Sequence, residues 1–202
     1  KVADAMTRIH HLNCGYLEAP PNPRAGCHCL LIEDGRSAAL IDTGIGLLDV
    51  ADPQRRIGQA LIDAAGFEFD EAQTAVRQLA KLGLEPGDVR HIVLTHADPD
   101  HTGGLADFPH AQIHISRREW ESIDAGSWRY LPQHFVHDPT WKTYARPDRT
   151  WFGIRSNVVD LDMDADVCLV SLPGHTLGHC GVAVRTEGGW LLHVGDAYYL
   201  RV

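Results

Sequence analysis

Residues 95–104 read Thr-His-Ala-Asp-Pro-Asp-His-Thr-Gly-Gly, so His96, Asp98, Asp100 and His101 crowd into one short stretch. Any one of them alone would pass as a polar loop residue. Together they repel one another unless a cation lies between them. Imidazole and carboxylate donors suit zinc, iron or manganese, and the lack of thiolate argues against a purely structural zinc. Further polar residues stand where strands are expected to end: Asp42, His175 and Asp196. Asp98, Asp100 and Asp196 carry enough charge for two divalent ions sharing a carboxylate. Such a pair would hold a bridging hydroxide, a nucleophile for an acyl or phosphoryl centre. Three carboxylates and one hydroxide against two divalent ions leave the site near neutral, so weak attraction for anionic substrates is expected.

These residues need strand ends to carry them. The apolar run before His96 predicts a buried strand over 92–94. Strands are also expected over 8–18, 27–33 and 37–41, the last two joined by a turn at Asp34-Gly35. Helical spacing covers 53–65 and 70–82; Asp70 is placed to cap the second, and Gly83 to end it. A helix is expected from Thr102, with its N-terminal amides toward the site. A strand follows over 111–116 and a short helix over 117–123. Further strands are expected over 158–161 and 167–172, with a hairpin over 181–194. Residues 124–156 show weak periodicity and many aromatics, which predicts an irregular insertion. It could pack on the body or cap the site with an apolar wall. Strands flanked by helices, with polar residues at strand ends, describe a layered α/β body whose strand ends converge on one edge.

The chain has 202 residues and a formal net charge of −9, which counts against a nucleic-acid partner or an anionic membrane surface. No stretch approaches the roughly 20 apolar residues of a membrane span. The five cysteines lack metal-ribbon spacing, and Cys27 and Cys29 would share one strand face. Reduced, structural thiols suit a cytoplasmic protein. The chain opens on Lys1 rather than methionine, so a removed leader stays open.

The pattern resembles the metallo-β-lactamase fold superfamily. Leu40-Ile41-Asp42-Thr43-Gly44 is similar to its first sequence mark and residues 95–101 to its His-rich loop. The Pro-Gly-His-Thr-Leu-Gly-His run over 173–179 is similar to the third mark, and Val194-Gly195-Asp196 to the fourth. The resemblance implies one domain over 1–202 with a four-layer αββα sandwich and its site at the edge of both sheets. It implies that His96, Asp98 and His175 hold one metal, that Asp100 and His101 hold a second, and that Asp196 bridges them. Asp42 would orient the ligand loop from behind, and His179 would stand near the site without ligating. Zinc is expected first. Asp98 occupies the place of the family's usual second histidine, where flavodiiron proteins carry a glutamate and DNA-uptake nucleases an aspartate, and this admits iron or manganese. A further histidine, the last strand and a last helix would lie beyond Val202, so an incomplete chain is expected.

The lactonase and glyoxalase-II branches are the most similar. The implied reaction is opening of an acyl bond by metal-bridged hydroxide, with Asp100 relaying the proton to the leaving group. A lactone such as an acyl-homoserine lactone comes first and a thioester second. A nuclease or an iron-dependent redox role remains as an alternative. The expected partner is a small-molecule substrate; a homodimer is left open.

Overall fold

The computed structural model describes residues 7–198. Its strands are β1 (Arg8–Leu17), β2 (Ala25–Glu33), β3 (Ala38–Ile41), β4 (Phe67–Glu68), β5 (Val89–Val93), β6 (Gln112–Ser116), β7 (Thr140–Tyr144), β8 (Arg149–Trp151), β9 (Ile154–Val159), β10 (Val167–Ser171), β11 (Cys180–Thr186) and β12 (Gly189–His193). The helices are α1 (Leu47–Ala51), α2 (Pro53–Arg56), α3 (Gln59–Ala65), α4 (Ala75–Lys81), α5 (Pro99–Thr102) and α6 (Arg117–Asp124).

Two sheets face each other. The larger runs β4-β1-β2-β3-β5-β6-β7 and the smaller β12-β11-β10-β9-β8. β3, β5, β6 and β7 are parallel, so their C-terminal ends share one edge. The run Cys29-Leu30-Leu31-Ile32 in β2 is apolar throughout because both faces are buried. Leu30 and Ile32 join Ile41 and Val93 against Val167, Leu169, Val182 and Val184 of the smaller sheet. Leu31 faces the other way, with Leu40 and Ile92, against Val76 and Leu79 of α4 and against Phe108. Among the described residues no helix is long and apolar enough to cross a membrane.

The outer face of the smaller sheet is formed by Cys168, Val170 and Ala183, with Trp151, Leu172, Trp190 and Leu192 packed against them. The expected outer helical layer on this side has no counterpart among the described residues, and the expected final histidine lies outside them.

Three local expectations need correction. The helix predicted over 53–65 is broken at Gly58, whose φ of 90° is open to glycine but strained for other residues. The helix predicted over 70–82 starts at Ala75. Asp70 caps only a 3₁₀ turn over 71–73, accepting from the Ala72 N–H at 2.9 Å, and the extended Thr74 separates that turn from α4. The segment 124–156 is irregular only over 125–139, which holds turns and one 3₁₀ turn. It supplies β7, β8 and the start of β9. Its periodicity is weak because β7 is an edge strand with four consecutive half-buried residues, so no alternation marks it. Its aromatics divide: Trp141 packs on the helix-side core and the Tyr144 hydroxyl lies 2.8 Å from His114 Nδ1, whereas Trp128 and Phe152 are exposed.

Candidate metal centre

β5 ends at Val93, and the chain turns through Thr95 into His96. The turn is held from below by Asp42, which follows β3 in the left-handed region at φ 56° and is fully buried. Asp42 Oδ1 accepts from the Thr95 N–H at 2.8 Å and Oδ2 from the Thr95 hydroxyl at 2.7 Å. His101 Nδ1 lies 2.9 Å from the same Oδ2, so its Nε2 faces the cluster. Burial pushes the Asp42 carboxyl up, but His101 beside it outweighs that and holds it below the usual range. The helix expected from Thr102 begins earlier, at Pro99, with Asp98 as the residue before its first turn. Proline suits that first position because its missing N–H has no helical partner there.

Two groups of donors converge. His96, Asp98 and His175 form one, and His96, His101 and Asp196 the other. In the first, Asp98 Oδ2 lies 2.8 Å from His175 Nε2 and 3.3 Å from His96 Nε2. In the second, His101 Nε2 lies 3.3 Å from Asp196 Oδ1; Asp100, which belongs to neither group, has its Oδ2 3.4 Å from the same nitrogen. The other oxygen of Asp196, Oδ2, points to the first group, 3.5 Å from His175 Nε2 and 4.0 Å from His96 Nε2. His96 is fully buried, yet its Nε2 has no hydrogen-bond partner and is aimed at these carboxylates. A buried nitrogen left without a partner among carboxylate oxygens fits a cation. Burial opposes a charged His101, but Asp100 and Asp42 outweigh it and raise its pKa well above the ordinary value. The pocket thus favours positive charge.

All the residues singled out from the sequence come to this edge. His179 stands behind the cluster: its Nδ1 lies 3.0 Å from the Leu172 carbonyl and its Nε2 accepts from the Asp196 N–H at 3.0 Å. It therefore holds the Asp196 backbone. Gly195 is required for that approach, since a Cβ there would come within 2.7 Å of His179 Nε2 at a φ of 53°.

Two further residues escaped the sequence reading. Glu119, fully buried on α6, accepts at Oε1 from the Ala97 N–H at 3.0 Å and from the Tyr130 hydroxyl at 2.6 Å. Its Oε2 accepts from the Thr176 hydroxyl at 2.7 Å. One carboxylate thus ties together the His96, His175 and Tyr130 loops. The second residue, Arg129, grips Asp98 with both ends of its fork: Nε donates to Oδ1 at 2.6 Å and Nη2 to Oδ2 at 2.5 Å. The same Nη2 lies 2.7 Å from His175 Nε2. Burial pushes the Asp98 carboxyl up, but His175, His96 and Arg129 beside it hold it far below the usual range. The near-neutral charge expected from the carboxylates alone is corrected by this guanidinium. The sequence carries a weak signal for Glu119, three residues after the helix-capping Ser116. It carries none for Arg129.

A cavity of about 860 Å³ opens on the Asp100, His101 and Asp196 side. Leu17, Ala25 and Leu192 give it apolar walls, and His11, Arg24 and His28 a polar rim. None of the aromatics of 124–156 lines it, so the apolar wall comes from the β1–β2 region and the end of β12 instead.

Residues 22–201 match the family model of the metallo-beta-lactamase superfamily, and the chain belongs to that superfamily. It is 40% identical over 200 residues to a probable metallo-hydrolase of Mycobacterium tuberculosis, covering 96% of this chain and 63% of the relative. It is 30% identical over 175 residues to an N-acyl homoserine lactonase of Azorhizobium caulinodans, covering 84% of this chain and 64% of that one. The chain thus spans less than two thirds of the curated relatives it matches. Its fold is similar to a solved N-acyl homoserine lactone hydrolase with N-hexanoyl-L-homoserine bound at its catalytic metal centre. The TM-score is 0.69 at 22% identity, over 94% of this chain and 74% of that one.

Proposed function

We propose that this chain carries the site of a metal-dependent hydrolase that opens an acyl bond, with a lactone as the leading substrate class. The observation that carries the reading is Asp196, whose two oxygens reach toward different donor groups, Oδ1 to His101 and Oδ2 to His175 and His96. One ion would be held by His96, Asp98 and His175, a second by Asp100 and His101, and Asp196 would bridge. Two divalent ions there, zinc first, would lower the pKa of a shared water toward neutrality and polarise a carbonyl. Asp42 keeps His101 Nε2 turned to the cluster. Asp100 stands at the cavity and would carry the proton to the departing oxygen. The walls of Leu17, Ala25 and Leu192 support an apolar acyl chain beside a polar head. The likeness to N-acyl homoserine lactonases supports the same class. The five cysteines are free and buried, which supports a reducing, cytoplasmic setting.

The test is metal analysis of protein purified without chelator, followed by assays on acyl-homoserine lactones, S-lactoylglutathione and a chromogenic phosphodiester. The expected outcome is about two ions per chain and turnover of the lactones before the others. Metal-loaded protein that hydrolyses no lactone, ester or thioester overturns the reading. Preference for the thioester moves the substrate class and leaves the site intact.

A further inference from the structure

We propose that Asp98 and Arg129 work as one unit, the guanidinium cancelling the aspartate's charge so that a divalent ion meets an oxygen donor with the net charge of a neutral imidazole. This rests on the metal reading above and concerns how the first donor group is built. Arg129 is a positioning residue in this scheme, acting through Asp98.

The contact is not an incidental surface pair. The fork is bidentate, and the Asp98 side chain is only 12% exposed. The residue after Arg129 is anchored: Tyr130 is buried, with its hydroxyl on Glu119. Glu119 also holds the Ala97 N–H beside Asp98 and the Thr176 hydroxyl beside His175. Arg129 is therefore tethered, through its neighbour Tyr130, to the carboxylate that fixes both ligand loops. Its guanidinium presses on the first donor group, while Asp100 and His101 have no comparable cation among the described residues. Two charges follow. Asp98 alone would strengthen the pull on a cation, and Arg129 alone would repel one. The Nη2 edge against His175 must also draw back for an ion to reach Nε2. The Arg129 side chain is 32% exposed and has room to do so while Nε keeps Oδ1.

Charge and competition give the same order of affinities. Cobalt(II) is titrated into metal-free wild type, Arg129→Gln, Asp98→His and the double variant, against a competing chelator, and its d–d absorption is followed. Arg129→Gln leaves Asp98 unbalanced and is expected to bind the first-group cobalt about tenfold tighter. Asp98→His leaves Arg129 unbalanced and is expected to bind it at least about tenfold more weakly. The double variant, neutral at both positions, is expected to return to within a few-fold of wild type. That rescue is a result a merely structural arginine would not give. Weaker binding by Arg129→Gln, or no rescue in the double variant, overturns the pairing. A wild type that takes up no cobalt defeats the metal reading itself and is thereby distinguished from failure of the order alone. Circular dichroism checks each fold. If Asp98→His does not fold, the sign of the Arg129→Gln change decides the matter.

Discussion

The two donor groups share His96, and Asp196 reaches from one toward the other, but they are supported by opposite charges. Behind His101 stands an anion, the buried Asp42, which also holds the Thr95 turn. Against Asp98 and His175 stands a cation, Arg129. An anion behind an imidazole fixes its ring and makes it a better donor. A cation on a carboxylate fixes its plane and weakens its pull. The two halves of one cluster are therefore tuned in opposite senses by residues that would not themselves ligate.

The hardest blow to this arrangement is Asp196→Ala, which removes the shared carboxylate. Both halves should suffer, with metal content falling below two ions per chain and turnover falling a hundredfold or more, roughly at or beyond the upper end for residues behind a ligand. Metal analysis and lactone assays measure it; a fall confined to one ion would mean that Asp196 serves one half alone. Glu119→Ala comes next. It strands the Ala97 N–H and the Tyr130 and Thr176 hydroxyls in the interior, and should cost about 3 kcal/mol in urea unfolding. Unchanged stability would show that the three loops are held by other contacts.

Asp42→Asn sharpens the contrast. Metal affinity of the Asp100–His101 half should fall about tenfold to a hundredfold while the Asp98 half changes less. Equal losses would erase the distinction between the halves.

The smallest effect is a control away from both. Burial pushes the Asp107 carboxyl up to about 6. The folded chain then keeps a proton that the unfolded chain has lost, so stability falls as pH rises from about 4 to about 6. Asp107→Asn should flatten that slope without altering metal content, read by thermal melts across the window.

Much of the site was legible because each potential ligand sits in a short motif at the end of an apolar run. Asp42, His96, His175 and Asp196 could be placed at strand ends without knowing how the strands pair. Arg129 could not. It reaches Asp98 from a segment whose course depends on β7 pairing with β6, a non-local contact that leaves no alternation in the sequence. Glu119 was hidden for another reason: on a short, charged helix it reads as solvent-facing, and only the three donors converging on it show otherwise. The break at Gly58 was readable, since a glycine inside a helical pattern warns of an interruption.

The Glu119 clamp bears on how the protein could be handled. Loops pinned by a buried carboxylate and by Asp42 owe their shape to protein contacts. Small domains whose ligands gather only around the ion unfold when it is stripped. Here a chelated sample should keep its backbone and accept a different ion on dialysis, so that zinc, iron, manganese and cobalt forms could be made from one preparation without refolding.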